Sequence, residues 1–285
     1  MAINLRDVKF VYYYPKKKEP RYILKDINLN IDSKDEFIVI VGKSGAGKST
    51  LVQLFNGLLL TNEGEVNVFG KKISNKKNIS LKDVRKKVGL VFQFPEYQLF
   101  EETILKDVSF GPKNFGIANY LEEAKKALEL VGIGEELYET SPFSLSGGQQ
   151  RRVAIAGILA SNPDVLVFDE PTVGLDPLGK KELLSLLKEI NEKYHKTIIF
   201  ITHDMEVVAE AAKRVIVLKN GSITFDGDKD LLFRNEDMLN EYSLDLPNIV
   251  KVLKRMKKEL NLDIDEYQYN IDDAYSELRR ALSNE

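Results

Sequence analysis

Three short stretches carry residues whose type and spacing suit phosphate chemistry. The first is "GKSGAGKST", residues 42–50. Gly42, Gly45 and Gly47 let the backbone curl until its N–H groups face phosphate oxygens, with Lys43, Ser44, Ala46 and Thr50 completing the cradle. Lys48 would add a positive charge at the β- and γ-phosphates, and the Ser49 hydroxyl could ligate Mg²⁺. The second stretch, "VLVFDE" at 165–170, is an apolar strand ending in two carboxylates. Asp169 is placed to hold magnesium through water, and Glu170 to polarise an attacking water. Acidic residues commonly end strands, so this pair gains its meaning only beside the phosphate loop. The third stretch is "LSGGQ" at 145–149. Ser146, Gly147, Gly148 and Gln149 could form a second anion nest, or merely cap a helix. A strand–helix core offers one nucleotide site at its strand ends, already taken by the first loop. The second nest therefore predicts a head-to-tail pair of chains, each nest closing on the nucleotide held by the other, in the manner of an arginine finger supplied in trans.

Elements must position these groups. Val8, Phe10 and Tyr12 alternate, as do Ile27, Leu29 and Ile31, which predicts half-buried strands. "FIVIV" (37–41) is apolar throughout, as are "GLVF" (89–92), "VLVF" (165–168), "TIIFIT" (197–202) and "VIVL" (215–218). Such runs fit strands buried on both faces. Helices are predicted at 120–131, 149–160 and 179–194. The alternation is that of an α/β fold with a parallel sheet. From about 94 to 145 the pattern breaks into helix and loop, an insertion between core strands. Beyond about 235 two amphipathic stretches follow, one with Ile249, Leu253, Met256 and Leu260 on a face, the other with Ile271, Tyr275, Leu278 and Leu282. The first of them carries Lys251, Lys254, Lys257 and Lys258 on its other face, which predicts solvation and, as a minor alternative, a membrane surface.

Composition narrows the class. The 285 residues are 43% hydrophobic and 30% charged with a net charge of −3, which suits a globular protein with a full core and argues against nucleic acid as a partner. There is no cysteine, which excludes disulfides and thiolate metal sites. The start, "MAINLRDVKF", lacks the apolar core of a signal peptide. The longest apolar helical run, "VAIAGILA" at 153–160, is under half the roughly 18–20 residues that span a bilayer.

Read in order, "GKSGAGKST", "VFQ", "LSGGQ", "VLVFDE", "GLD" and "ITH" make residues 1–235 resemble the ATP-binding-cassette (ABC) ATPases. The resemblance implies a P-loop NTPase fold: a RecA-like parallel core, N-terminal antiparallel strands, and a helical subdomain inserted at about 94–157. It also implies further roles. Gln93 matches the glutamine that senses magnesium and attacking water, His203 the switch histidine at the γ-phosphate, and Asp176 the loop aspartate that crosses the dimer interface. Tyr12 stands where the family stacks an aromatic on adenine, with Tyr13 and Tyr14 adjoining as alternatives.

Within that family, "FQFPEYQLFEET" is the informative stretch. It sets Phe94, Tyr97, Leu99 and Phe100 beside Glu96, Glu101 and Glu102, an apolar and acidic groove suited to an arginine-bearing amphipathic helix. It is similar to the second ATPase of energy-coupling-factor (ECF) importers for vitamins or transition metals. The likeness implies a peripheral subunit on the cytoplasmic side of the cell membrane, with a second ABC ATPase, a transmembrane coupling protein and a substrate-binding membrane component as partners. It implies too that residues 236–285 form a dimerising C-terminal extension. The alternatives are an ATPase of a conventional importer served by a solute-binding protein, and a soluble cassette acting on DNA or ribosomes. Only about a hundred residues separate Lys48 from Ser146, too few for the coiled coil of the DNA-organising type, and the translation type needs two cassettes in a chain.

Overall fold

The computed structural model describes residues 1–13, 20–32, 35–73 and 80–283; Tyr14 lies outside them. Alternating burial makes β1 (Ile3–Phe10) and β2 (Leu24–Ile31) an antiparallel pair with one face inward. The next strand, β3 (Phe37–Val41), is buried on both faces and runs into the glycine loop, which opens α1 (Lys48–Phe55). Two further strands, β4 (Glu63–Val68) and β5 (Lys71–Ile73), complete a four-stranded sheet ordered β2-β1-β4-β5. After α2 (Lys82–Lys87) comes β6 (Val88–Val91), and the chain then leaves the core.

The excursion holds α3 (Ile104–Phe115), α4 (Tyr120–Leu130) and α5 (Gly147–Leu159). The chain returns as β7 (Val165–Asp169), α6 (Pro177–Lys193), β8 (Thr197–Ile201), α7 (Met205–Ala211), β9 (Arg214–Lys219) and β10 (Ser222–Asp228). The second sheet is ordered β10-β9-β3-β8-β7-β6 and is parallel except at β9–β10. Its two faces feed separate cores. Phe37, Val39 and Val41 join the core that extends into the insertion through Ile104, Val108 and Leu128, while Ile38 and Ile40 face the first sheet and α1. Each fully buried Val or Ile contributes about 1.5–3 kcal/mol, so the continuous apolar runs fix the sheet.

The chain ends in α8 (Lys229–Phe233), α9 (Glu236–Tyr242), α10 (Asn248–Leu260) and α11 (Ile271–Ser283). The boundary expected at 235/236 falls inside the main core, because Leu239 and Tyr242 of α9 are buried there and the Tyr242 hydroxyl donates to the Thr224 carbonyl at 3.1 Å. A distinct small core is formed by Leu253, Leu262, Ile264 and Ala274, with Ile249 packed against it. The two expected apolar stripes are only partly used: Ile249, Leu253 and Leu278 pack, while Leu260, Ile271, Tyr275 and Leu282 stay exposed. The Asn248 amide donates to the Glu206 carboxylate at 2.7 Å, tying the start of α10 to α7.

Candidate active site

Parallel strands deliver four of the chemistry-bearing segments to one edge. The glycine loop follows β3, Gln93 follows β6, Asp169 and Glu170 end β7, and His203 follows β8, all at carboxyl ends of adjoining strands. Cross-strand amides fix the junctions, with Glu170 N–H donating to the Ile201 carbonyl at 3.1 Å and Thr202 N–H to that of Ile40 at 3.3 Å.

At the loop, Gly42 has φ of 146°, and a Cβ there would lie 2.1 Å from the Leu218 carbonyl oxygen, so only glycine fits. No side chain caps the first amides of α1 and no acid sits in its first turn, which leaves a helix N-terminus suited to an anion. The buried Lys48 ammonium donates to the Gly42 and Lys43 carbonyls at 2.8 and 3.2 Å. Burial pushes its pKa down, with the charges of Glu170 and Asp169 opposing. Burial pushes the Asp169 carboxyl up, against the pull of the Ser49 hydroxyl. Ser49 and Asp169 thus bring hard oxygen donors together, which suits magnesium. Among the described residues there is no cluster of three or more His, Cys, Asp or Glu side chains that could hold a metal unaided. Phosphates and water would have to complete the shell, as magnesium usually requires.

Glu170 takes a left-handed φ of 48°, uncommon for a side chain with a Cβ. Its Oε2 lies 3.7 Å from Nδ1 of His203, whose side chain is 72% exposed. A histidine at this place would read, unaided, as a satisfied core residue; its exposure leaves it free to meet a ligand. Tyr12 is also exposed, with its hydroxyl 3.0 Å from the Thr50 hydroxyl and its ring edge-on to Phe10. Tyr13 is more exposed still.

Ser146 caps α5 in a capping box, its hydroxyl accepting from the Gln149 amide while the Gln149 side chain accepts from the Ser146 amide at 3.1 Å. The cap alone does not account for the glycines. A Cβ at Gly147 or Gly148 would meet nothing within 4 Å in this chain. Ser146 and Gly148 share a cleft of about 950 Å³ with Asp176, and no residue of the phosphate loop lines it. Asp176 itself caps α6 by accepting from the Gly179 amide at 2.7 Å.

Of the seven residues expected to line a groove after Gln93, two turn inward. Tyr97 and Phe100 are exposed, and Phe100 meets Phe110 edge-on with ring centroids 4.9 Å apart. Glu101 is half-buried, Glu102 pairs with Lys106, and Phe94 packs beside Tyr97. Leu99 and Glu96, by contrast, turn inward. Leu99 joins the insertion core, and Glu96 accepts two hydrogen bonds, at 3.0 and 2.9 Å, from the buried Arg151. Its carboxylate is thereby satisfied from inside the chain and is not part of the open acidic rim. Arg151 also donates to the Pro171 and Val173 carbonyls, both at 3.0 Å. One side chain so joins α5, the turn after Gln93 and the loop between Glu170 and Asp176. Sequence reasoning missed Arg151, although its place four residues before Ile155 sets it on the buried face of α5.

This fold and this set of strand-end groups define an ABC ATPase, and the ABC transporter family model matches residues 24–173. The chain is 48% identical to the energy-coupling factor transporter ATP-binding protein EcfA2 of Caldanaerobacter subterraneus subsp. tengcongensis, over 90% of each chain. It belongs to the ABC transporter family, among the energy-coupling factor ATP-binding proteins. The solved structure of cbiO1 from Clostridium perfringens, part of the ABC transporter complex cbiONQ, superposes with a TM-score of 0.73 at 33% identity, covering 91% of this chain and 96% of that one. A dimeric post-hydrolysis state of the ATP-binding cassette MJ0796 bound to ADP and Pi superposes at 0.69 and 34%, covering 79% and 98%.

Proposed function

We propose that this chain is the ATP-hydrolysing, energy-coupling subunit of an ECF-type importer for vitamins or transition-metal ions. It pairs with a second ABC ATPase on the cytoplasmic face of the cell membrane and moves a transmembrane coupling protein that serves a substrate-binding membrane component. The observation that carries the reading is the separation of two half-sites: the cleft holding Ser146, Gly148 and Asp176 excludes the phosphate loop. Each half acquires a use only against the other half of a neighbouring cassette.

In this reading the loop at 42–50 holds the ATP phosphates, with Lys48 against the β- and γ-phosphates and Tyr12 under the adenine. Ser49, Gln93 and, through water, Asp169 would hold Mg²⁺, which when bound neutralises charge on the phosphates. Glu170 accepts a proton from the attacking water, and His203 beside it stabilises charge at the γ-phosphate. Ser146 and the Gly147 and Gly148 amides close on the partner's γ-phosphate. Loss of that phosphate removes the bridge, the pair opens, and the exposed Tyr97 and Phe100 carry the motion to the coupling protein.

Gly148→Val tests the trans contact. Its Cβ has open space in this chain, so folding stability should stay within about 1 kcal/mol of the parent by urea denaturation. Steady-state turnover of the assembled pair should fall by about a hundredfold or more. A variant that folds and turns over at the parental rate overturns the reading.

A further inference from the structure

His203 sits between two anchored neighbours, while its own ring makes no hydrogen bond among the described residues. Its preceding residue, Thr202, accepts at its hydroxyl from the Asp204 amide at 3.0 Å. Asp204 caps α7 by accepting from the Glu206 amide at 3.1 Å, and its second carboxylate oxygen lies 3.2 Å from the Lys180 ammonium. Lys180 stands one turn beyond Asp176 on α6, its amide donating to the Asp176 carbonyl at 3.0 Å. Glu170, Lys180, His203 and Asp204 line one pocket of about 280 Å³.

These contacts form a short physical connection. The loop at Asp176 opens α6, α6 presents Lys180, Lys180 holds Asp204, and Asp204 is bonded to the histidine. From the far side, Glu206 is held by the Asn248 amide, so the start of α7 is gripped from two sides, by Asn248 and by Lys180. As an isolated half-exposed pair, Lys180–Asp204 would add little to stability. Its position suits it to orientation instead.

We propose that Lys180 is a positioning residue for His203, acting through Asp204, so that seating of the Asp176 loop against a neighbouring cassette holds the histidine in its place beside Glu170. The proposal rests on the roles given above to Asp176 and His203.

The test uses the assembled ATPase pair. Lys180→Met and Lys180→Gln should lower kcat about three- to tenfold while the KM for ATP stays within about twofold, and Lys180→Arg should restore most of the rate. Added to His203→Ala, Lys180→Met should bring no further loss, because both act at one point. Unchanged kcat in both neutral variants overturns the proposal, as does Lys180→Arg being as slow as Lys180→Met, or losses that multiply in the double variant. If His203→Ala alone turns over normally, the reading of the histidine fails and the proposal falls with it. Melting temperatures close to the parent's keep a folding defect from imitating either result.

Discussion

Glu170 combines a left-handed backbone with a carboxylate whose side chain is 25% exposed and faces His203. Replacing it by Gln keeps the shape and removes the base. Turnover by Glu170→Gln should fall about 10²- to 10⁴-fold while nucleotide binding, measured by fluorescence titration, persists. The placement of Lys48, Ser49, Asp169 and Glu170 at strand ends was legible in the sequence, because each lies in or directly after the short segment that follows an apolar strand. Arg151 was not, since its partners lie 55, 20 and 22 residues away and meet it only after folding. Glu96 misled for the same reason: an acid beside exposed aromatics looks like a rim until the arginine that turns it inward is known.

At the scale of elements, Arg151 makes the insertion and two loops behave as one piece. Its side chain and that of Glu96 are 7% and 14% exposed, so removing either leaves a buried charge unpaired. Arg151→Met should lose about 3–5 kcal/mol at neutral pH by urea denaturation. Burial pushes the Glu96 carboxyl up, yet the Arg151 hydrogen bond and charge, with a backbone hydrogen bond, outweigh it and hold the pKa below its ordinary value of 4.5. A depressed carboxylate stabilises above the unfolded pKa and loses that contribution as pH falls through the folded one. The gap between parent and variant should therefore narrow in acid. The buried strands were readable from apolar runs alone. The basic face of α10 could not be interpreted without its neighbours: Lys251 pairs with Asp245, Lys254 with Glu236 and Lys257 with Glu266, so most of its charge is met within the chain. That neutralisation weighs against an anionic membrane surface as its ligand.

At the scale of the molecule, no helix among the described residues is long and apolar enough to cross a membrane. In the function proposed above, work on a membrane passes through partners. Affinity purification of the tagged chain from detergent-solubilised membranes should bring down a related ATPase and a small multi-span coupling protein. Recovery instead of a conventional permease with a solute-binding protein would reassign the subunit. The α/β class was visible in the order of runs and helices. The edge of the main core was not, because α9 belongs by composition to the tail and by packing to the body.

Shortened versions of this chain call for care over where the cut falls. Ending it anywhere ahead of Asn248 deletes the amide that Glu206 grasps, and so slackens the helix directly behind His203. A truncation meant to probe assembly would then also disturb hydrolysis. A stop placed beyond α10 keeps that tether and separates the two effects.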